Sequence, residues 1–130
     1  QLPNSVKSRL TVENDDKSSM YNVQDLYDGV FKVIGIPIVF DYHHHKFNTG
    51  DLSEQQALEL ALSTWGNIVP VVHYSESRQK EQLDESIRPQ AHSDYIVDYI
   101  DTYGNEVDIM VEAKAKELAV LKYKEIHEVV

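Results

Sequence analysis

Apolar positions along the chain fall into two alternating patterns. Four short runs are almost continuously apolar: Leu10-Thr11-Val12, Ile36-Pro37-Ile38-Val39-Phe40, Ile68-Val69-Pro70-Val71-Val72 and Val107-Asp108-Ile109-Met110-Val111. Val- and Ile-rich runs of this length predict strands covered on both faces, which is the environment of a parallel sheet. Between them the spacing changes to three and four. Val23, Leu26, Tyr27, Val30 and Phe31 share one helical face, and Gly35 follows as a stop. Ser53 and Gln56 form a capping-box pair ahead of Leu58, Ala61, Leu62 and Trp65, with Gly66 behind. Ser93 with Tyr95, Ile96, Tyr99, Ile100 and Tyr103 predicts a third helix ending at Gly104. A fourth starts near Ala115 and runs into Glu125. The stretch from Glu76 to Gln90 is polar and reads as an excursion after the third strand. The expected fold class is therefore α/β, with about four parallel βα units in a single unit over residues 1–130.

Each strand run ends on a residue able to bind a cation: Glu13, Asp41, His73 and Glu112. Parallel strands deliver their C-terminal ends to one face, where α/β active sites lie. Neighbouring strands are roughly 4.8 Å apart, so these four side chains are expected to converge. Three carboxylates in one small volume repel one another, and a divalent cation relieves that repulsion. Oxygen and imidazole donors suit Mn, Zn, Mg or Fe(II). With alternating orientation in an extended segment, at most two of the three consecutive imidazoles His43, His44 and His45 face the site together, and a second cation held by His44 and His92 fits the same face. His127 is expected at the surface.

Composition changes this picture in one respect. With 22 acidic and 12 basic side chains the net charge is -10. That weighs against simple electrostatic binding to nucleic acid or to an anionic membrane, unless bound cations invert the local field. The absence of cysteine excludes disulfides, thiolate metal sites and a cysteine nucleophile. The longest apolar run, Val33 to Phe40, is too short to cross a bilayer. The chain opens on Gln1 without a signal pattern, which leads us to expect a trimmed or partial chain and an intracellular, cytoplasmic location.

The wording of five blocks goes further. Leu10-Thr11-Val12-Glu13-Asn14-Asp15-Asp16, Asp41-Tyr42-His43-His44-His45-Lys46-Phe47-Asn48, His73-Tyr74-Ser75-Glu76, Ala91-His92-Ser93-Asp94-Tyr95 and Val111-Glu112-Ala113-Lys114-Ala115-Lys116 resemble, in this order, the C-terminal half of UV damage endonucleases. The resemblance spans nearly the whole chain. It implies the C-terminal half of a TIM barrel related to endonuclease IV and xylose-isomerase-like barrels. The implied activity is metal-dependent DNA repair, hydrolysing the phosphodiester 5′ to UV photoproducts in double-stranded DNA, with manganese the foremost cation. Glu13, Asp41, His73 and Glu112 would hold a central metal, Glu13 would bridge to a second, and His44 and His92 would help to hold a third. Lys46, Tyr74 and Lys114 are candidates for contacts to phosphate or DNA.

Three departures qualify the resemblance. The family's further metal-binding histidines and lesion-probing residues belong to an N-terminal half-barrel with no counterpart here. Val71 stands where many members carry a Lys that contributes near the metals. The stretch between His73 and His92 is longer than usual and is expected to reshape the phosphate site. Two other functions fit the residues: a sugar isomerase or epimerase of the same barrel superfamily, which needs one metal and no His44–His92 pair, and a non-catalytic half-barrel that dimerises. The expected partner besides DNA is the missing half-barrel or a second copy. On length alone 130 residues suits one ordinary domain, whereas eight βα units need roughly 250.

Overall fold

The computed structural model describes residues 9–127. Four strands, β1 (Val12–Glu13), β2 (Ile38–Asp41), β3 (Val71–Tyr74) and β4 (Asp108–Val111), form one parallel sheet in the order β1-β2-β3-β4. The helices are α1 (Val23–Leu26), α2 (Tyr42–Phe47), α3 (Glu54–Leu62), α4 (Arg78–Gln82) and α5 (Glu117–His127). α1 continues through a π-helical turn at Tyr27–Phe31 and a last α turn at Lys32–Ile34. It stops where Gly35 takes φ 71°, a left-handed conformation that a residue with a Cβ resists. The capping box of Ser53 and Gln56 opens α3 as the spacing predicts, and a 3₁₀ turn at Ser63–Trp65 prolongs it.

β2 is the spine of the molecule, with all four residues buried. Val23, Leu26, Ala57, Leu58 and Ala61 pack with Ile38, Phe40, Tyr42 and Val72 into one core. Burying such side chains contributes roughly 1.5–3 kcal/mol each, which offsets the cost of ordering the chain. Side chains also fix where β2 begins. The Thr64 hydroxyl accepts the Ile38 N–H (2.9 Å), and the Trp65 indole N–H donates to the Ile38 carbonyl (2.8 Å). Neither proline enters a strand, as each precedes one: the Pro37 carbonyl accepts from Val12 N–H, and that of Pro70 from Asp108 N–H.

Two expectations are corrected. The segment 93–107 is not a helix. Ile96 and Ile100 are buried as the spacing requires, but distant side chains bond the segment's N–H groups, among them those of Val97, Asp98 and Ile100 that a helix starting at Ser93 would turn to its own carbonyls. The Glu81 carboxylate accepts from Asp94 and Tyr95, Glu76 accepts from Val97 and Asp98, and the Tyr123 hydroxyl accepts from Ile100. Such bonds compete with the helical ladder and here they win. Secondly, the three consecutive histidines are helical rather than extended, because Asp41 caps α2 by accepting the His44 N–H at 2.9 Å. Successive side chains on a helix diverge, so His43 and His45 turn into the interior. The excursion after β3 contains α4 and is tied back by the Ser77–His92 bridge.

Glu76 is the buried hub of this region, as it also accepts the Tyr74 hydroxyl at 2.8 Å. Replacing it with Ala leaves three donors without their acceptor, the buried Tyr74 hydroxyl and the part-buried Val97 and Asp98 N–H groups. The expected outcome for Glu76→Ala is a loss of about 3 kcal/mol in urea unfolding, with faster amide exchange at Val97 and Asp98. Unchanged protection at both amides would contradict this role.

Candidate metal centre

The C-terminal ends of the four strands gather as the strand register dictates. In parallel pairing, Asp41 aligns with His73, and Glu13 with Val39 two residues below Asp41. Side chains two apart point the same way, so Glu13, Asp41 and His73 share one face. Glu112 follows β4 at the same end. One ligand-type atom from each of Glu13, Asp41, His73 and Glu112 lies within 4.8 Å of the others. His73 Nδ1 faces a Glu13 carboxylate oxygen and lies 3.6 Å from Glu112 Oε1. Val71 sits one layer below His73 as an apolar, half-buried side chain.

Asp41 is the buried member, with a side chain 1% exposed. One of its oxygens caps α2, while Oδ2 has no hydrogen-bond partner among the described residues. Orphaned polar atoms are uncommon in protein interiors. One at the buried end of a set of three carboxylates and an imidazole fits a divalent cation in donor type. Burial pushes the Asp41 carboxyl up to about 7, and the nearby Glu13 adds to the rise, while the His44 N–H and imidazole act in the opposite direction.

Asn14 was overlooked in the sequence and holds this arrangement. Its side-chain amide donates to the Asp41 carbonyl at 3.0 Å and accepts the Asp41 N–H at 2.8 Å. It thereby pairs with Asp41 as one more strand residue would, beyond the end of β1. Its own carbonyl lies 2.7 Å from His44 Nδ1. Donation there leaves His44 Nε2 free as an acceptor. Burial alone would lower the His44 pKa, but the Asp41 carboxylate, the Asn14 carbonyl and Glu13 outweigh it and raise it. An Asn directly after an acidic strand end was the only signal available in the sequence.

The other candidates are dispersed. His44 stands beside the cluster, 3.4 Å from Asp41 Oδ2. His92 packs edge-on against His43 (ring centroids 5.8 Å apart) and lines a groove with Glu112, and neither His44 nor His92 joins the four-residue set. His43 Nε2 bonds the Gln90 carbonyl, and burial lowers the pKa of His43 and of His45. Lys114 lines the Glu112 groove. Lys46 lines a separate cavity with Glu76, Glu81 and Asp98. Tyr74 is buried with its hydroxyl on Glu76, so it offers no face to a base. His127, expected at the surface, packs against Tyr99 and Tyr123 with Nε2 on the Val97 carbonyl.

The profile of the family described as UV-endonuclease UvdE matches residues 1–129. The UV DNA damage endonuclease of Bacillus cereus strain Q1 is 36% identical over 98% of this chain and 40% of its own length. That of Bacillus thuringiensis subsp. konkukian is 34% identical over 95% of this chain and 39% of its own. The crystal structure of SacUVDE superposes with a TM-score of 0.76 at 33% identity, covering 98% of this chain and 42% of that one. This chain thus spans about two-fifths of the length of these relatives. Among the described residues, no helix is long and apolar enough to cross a membrane.

Without a cation, Asp41 binds its proton more tightly in the folded than in the unfolded chain. Its contribution is therefore full below about 4 and is lost as pH rises through about 7. Asp41→Asn keeps an oxygen to cap α2 and removes the charge. It is expected to flatten this pH dependence by a few kcal/mol and to abolish the rise in melting temperature on adding Mn²⁺. Thermal melts at pH 5 and pH 8, with and without Mn²⁺, check both outcomes.

Proposed function

Because the chain belongs to the UV-endonuclease UvdE family, we propose that it is the metal-binding C-terminal portion of a DNA repair endonuclease that nicks the phosphodiester 5′ to UV photoproducts. The observation that carries this reading is the convergence of Glu13, Asp41, His73 and Glu112, with the buried Asp41 Oδ2 unpaired among the described residues. In this reading those four residues hold a central divalent cation, manganese foremost, Glu13 reaches a second, and His44 and His92 attend a third. When bound, such ions polarise a phosphate oxygen, yield a hydroxide at neutral pH and stabilise the leaving oxygen.

The chain's own residues have separable tasks. Asp41, fixed by Asn14 on its backbone and by α2 on its side chain, sets the depth of the site. Glu13 and Glu112, each about one-third exposed, flank His73 at the surface where a substrate arrives. His44, its Nδ1 engaged by Asn14, presents Nε2. The charge of -10 is compatible with DNA because neutralising the three clustered carboxylates removes the repulsion where the phosphate would sit.

The relatives' greater length bears on partners. β1 and β4 lie at the two edges of the sheet. Ile109 and Met110 of β4, with Leu118 and Leu121 of α5, are exposed. Unpaired edges with adjoining apolar side chains favour association. In this proposal further βα units cover them in a complete barrel, and the isolated chain pairs with a second copy. Light scattering is expected to report a dimer of the isolated chain, and a monodisperse monomer contradicts that expectation.

The functional test uses UV-irradiated supercoiled plasmid and protein of the relatives' full length carrying this segment. Nicking with added Mn²⁺ is expected, and Glu112→Gln should reduce it by at least about 100-fold, since even outer partners of metal ligands cost ~10–100-fold. Turnover of a ketose with no nicking of irradiated DNA would instead favour the sugar isomerase or epimerase reading.

A further inference from the structure

Beside the metal cluster runs an open groove of about 480 Å³, lined by Arg88, Gln90, Ala91, His92, Glu112, Ala113 and Lys114. Glu112 belongs both to the groove and to the cluster, so the groove leads directly to it. Arg88 and Lys114 are exposed, and among the described residues neither has a carboxylate partner. The cavity beside Lys46 is the opposite case. Its Lys80 lies 3.6 Å from Asp98, and Glu76 and Glu81 add two more carboxylates. Lys46 in that cavity is likewise unpaired among the described residues, but those three carboxylates share its lining, whereas the groove holds two unpaired cations against the single carboxylate of Glu112.

Arg88 is held in place by its backbone. Residues 88–91 form a turn closed by the Ala91 N–H on the Arg88 carbonyl (3.0 Å), with Pro89 at the position where its fixed φ suits a turn. The Gln90 carbonyl accepts from buried His43, the Ala91 carbonyl accepts from Arg78 N–H, and the Gln79 amide donates to the Ile87 carbonyl at 2.9 Å. His43 is thus a strut for this turn. The Arg88 side chain makes no hydrogen bond within the described protein, so the rigid turn presents an unengaged guanidinium. A planar fork of donors suits the oxygens of a phosphodiester.

We propose that this groove is a phosphodiester-binding subsite, in which Arg88 and Lys114 hold the DNA backbone on the Glu112 side of the metal cluster. The proposal deepens the nuclease reading and rests on it. Arg88 lies in the excursion between His73 and His92, a stretch expected from the sequence to reshape the phosphate site.

The test measures fluorescence anisotropy of a labelled, UV-irradiated duplex with the chain in Mn²⁺ over a range of salt concentrations. Mn²⁺ affinity is titrated separately for each variant. Arg88→Ala is expected to weaken DNA binding about tenfold and to lower the salt slope by about one. Arg88→Glu should weaken it further, Arg88→Lys should restore most of the affinity, and all three should bind Mn²⁺ like the parent chain. Unchanged affinity and slope in Arg88→Ala and Arg88→Glu would overturn the subsite and leave the nuclease reading intact. Weaker binding with an unchanged slope would also overturn it, by assigning Arg88 a structural role. A parent chain that binds Mn²⁺ but no DNA would overturn the subsite, while the nuclease reading stands or falls on the plasmid assay with full-length protein.

Discussion

Three carboxylates and one imidazole crowd the end of a parallel sheet, and the most buried of them, Asp41, has an oxygen with no hydrogen-bond partner among the described residues. Crowding of this kind costs free energy through repulsion and desolvation. The fold nevertheless enforces it. The core packs on β2, the register between β2 and β3 aligns Asp41 with His73, and the Asn14 amide binds both backbone groups of Asp41. The carboxylate cannot turn away to water without breaking the cap on α2. On the proposed metal-binding reading, a site kept under this constraint is ready for a cation before one arrives, which is the general advantage of preorganised ligands.

Rigidity around the centre comes from side-chain to backbone bonds rather than from regular structure. Glu76 and Glu81 hold the segment that leads from β3 to β4 by accepting its N–H groups. His43 and Gln79 fasten the turn that carries Arg88. Acidic residues therefore serve two purposes here: some gather at the strand ends, and others act as internal acceptors that shape a loop. The strong net negative charge has this mixed origin and does not by itself describe the surface that a substrate would meet.

Much of the sheet was legible from the chain. Each apolar run closes on Glu13, Asp41, His73 or Glu112, and the strands end there within a residue. The expected cover on both faces holds for β2 alone, since β4 lies at a sheet edge and leaves Ile109 and Met110 exposed. The capping box at Ser53 and the stop at Gly35 were legible because they are local. Non-local bonds were not. Ile96 and Ile100 have helical spacing and are indeed buried, yet acceptors from Glu76 and Glu81 divert their backbone. Asn14 meets a partner 27 residues away, which no local pattern announces. The run of histidines misled for a related reason: the Asp41 cap coils the segment, so His43 and His45 serve the interior and only His44 remains beside the cluster.

The most direct measurement of the central claim is an anomalous difference map from crystals of the chain soaked in Mn²⁺ and recorded near the manganese absorption edge. The account predicts a peak among the Glu13, Asp41, His73 and Glu112 side chains, with ligand distances of about 2.0–2.2 Å. A map with no peak there, or with manganese only among other groups, would contradict it.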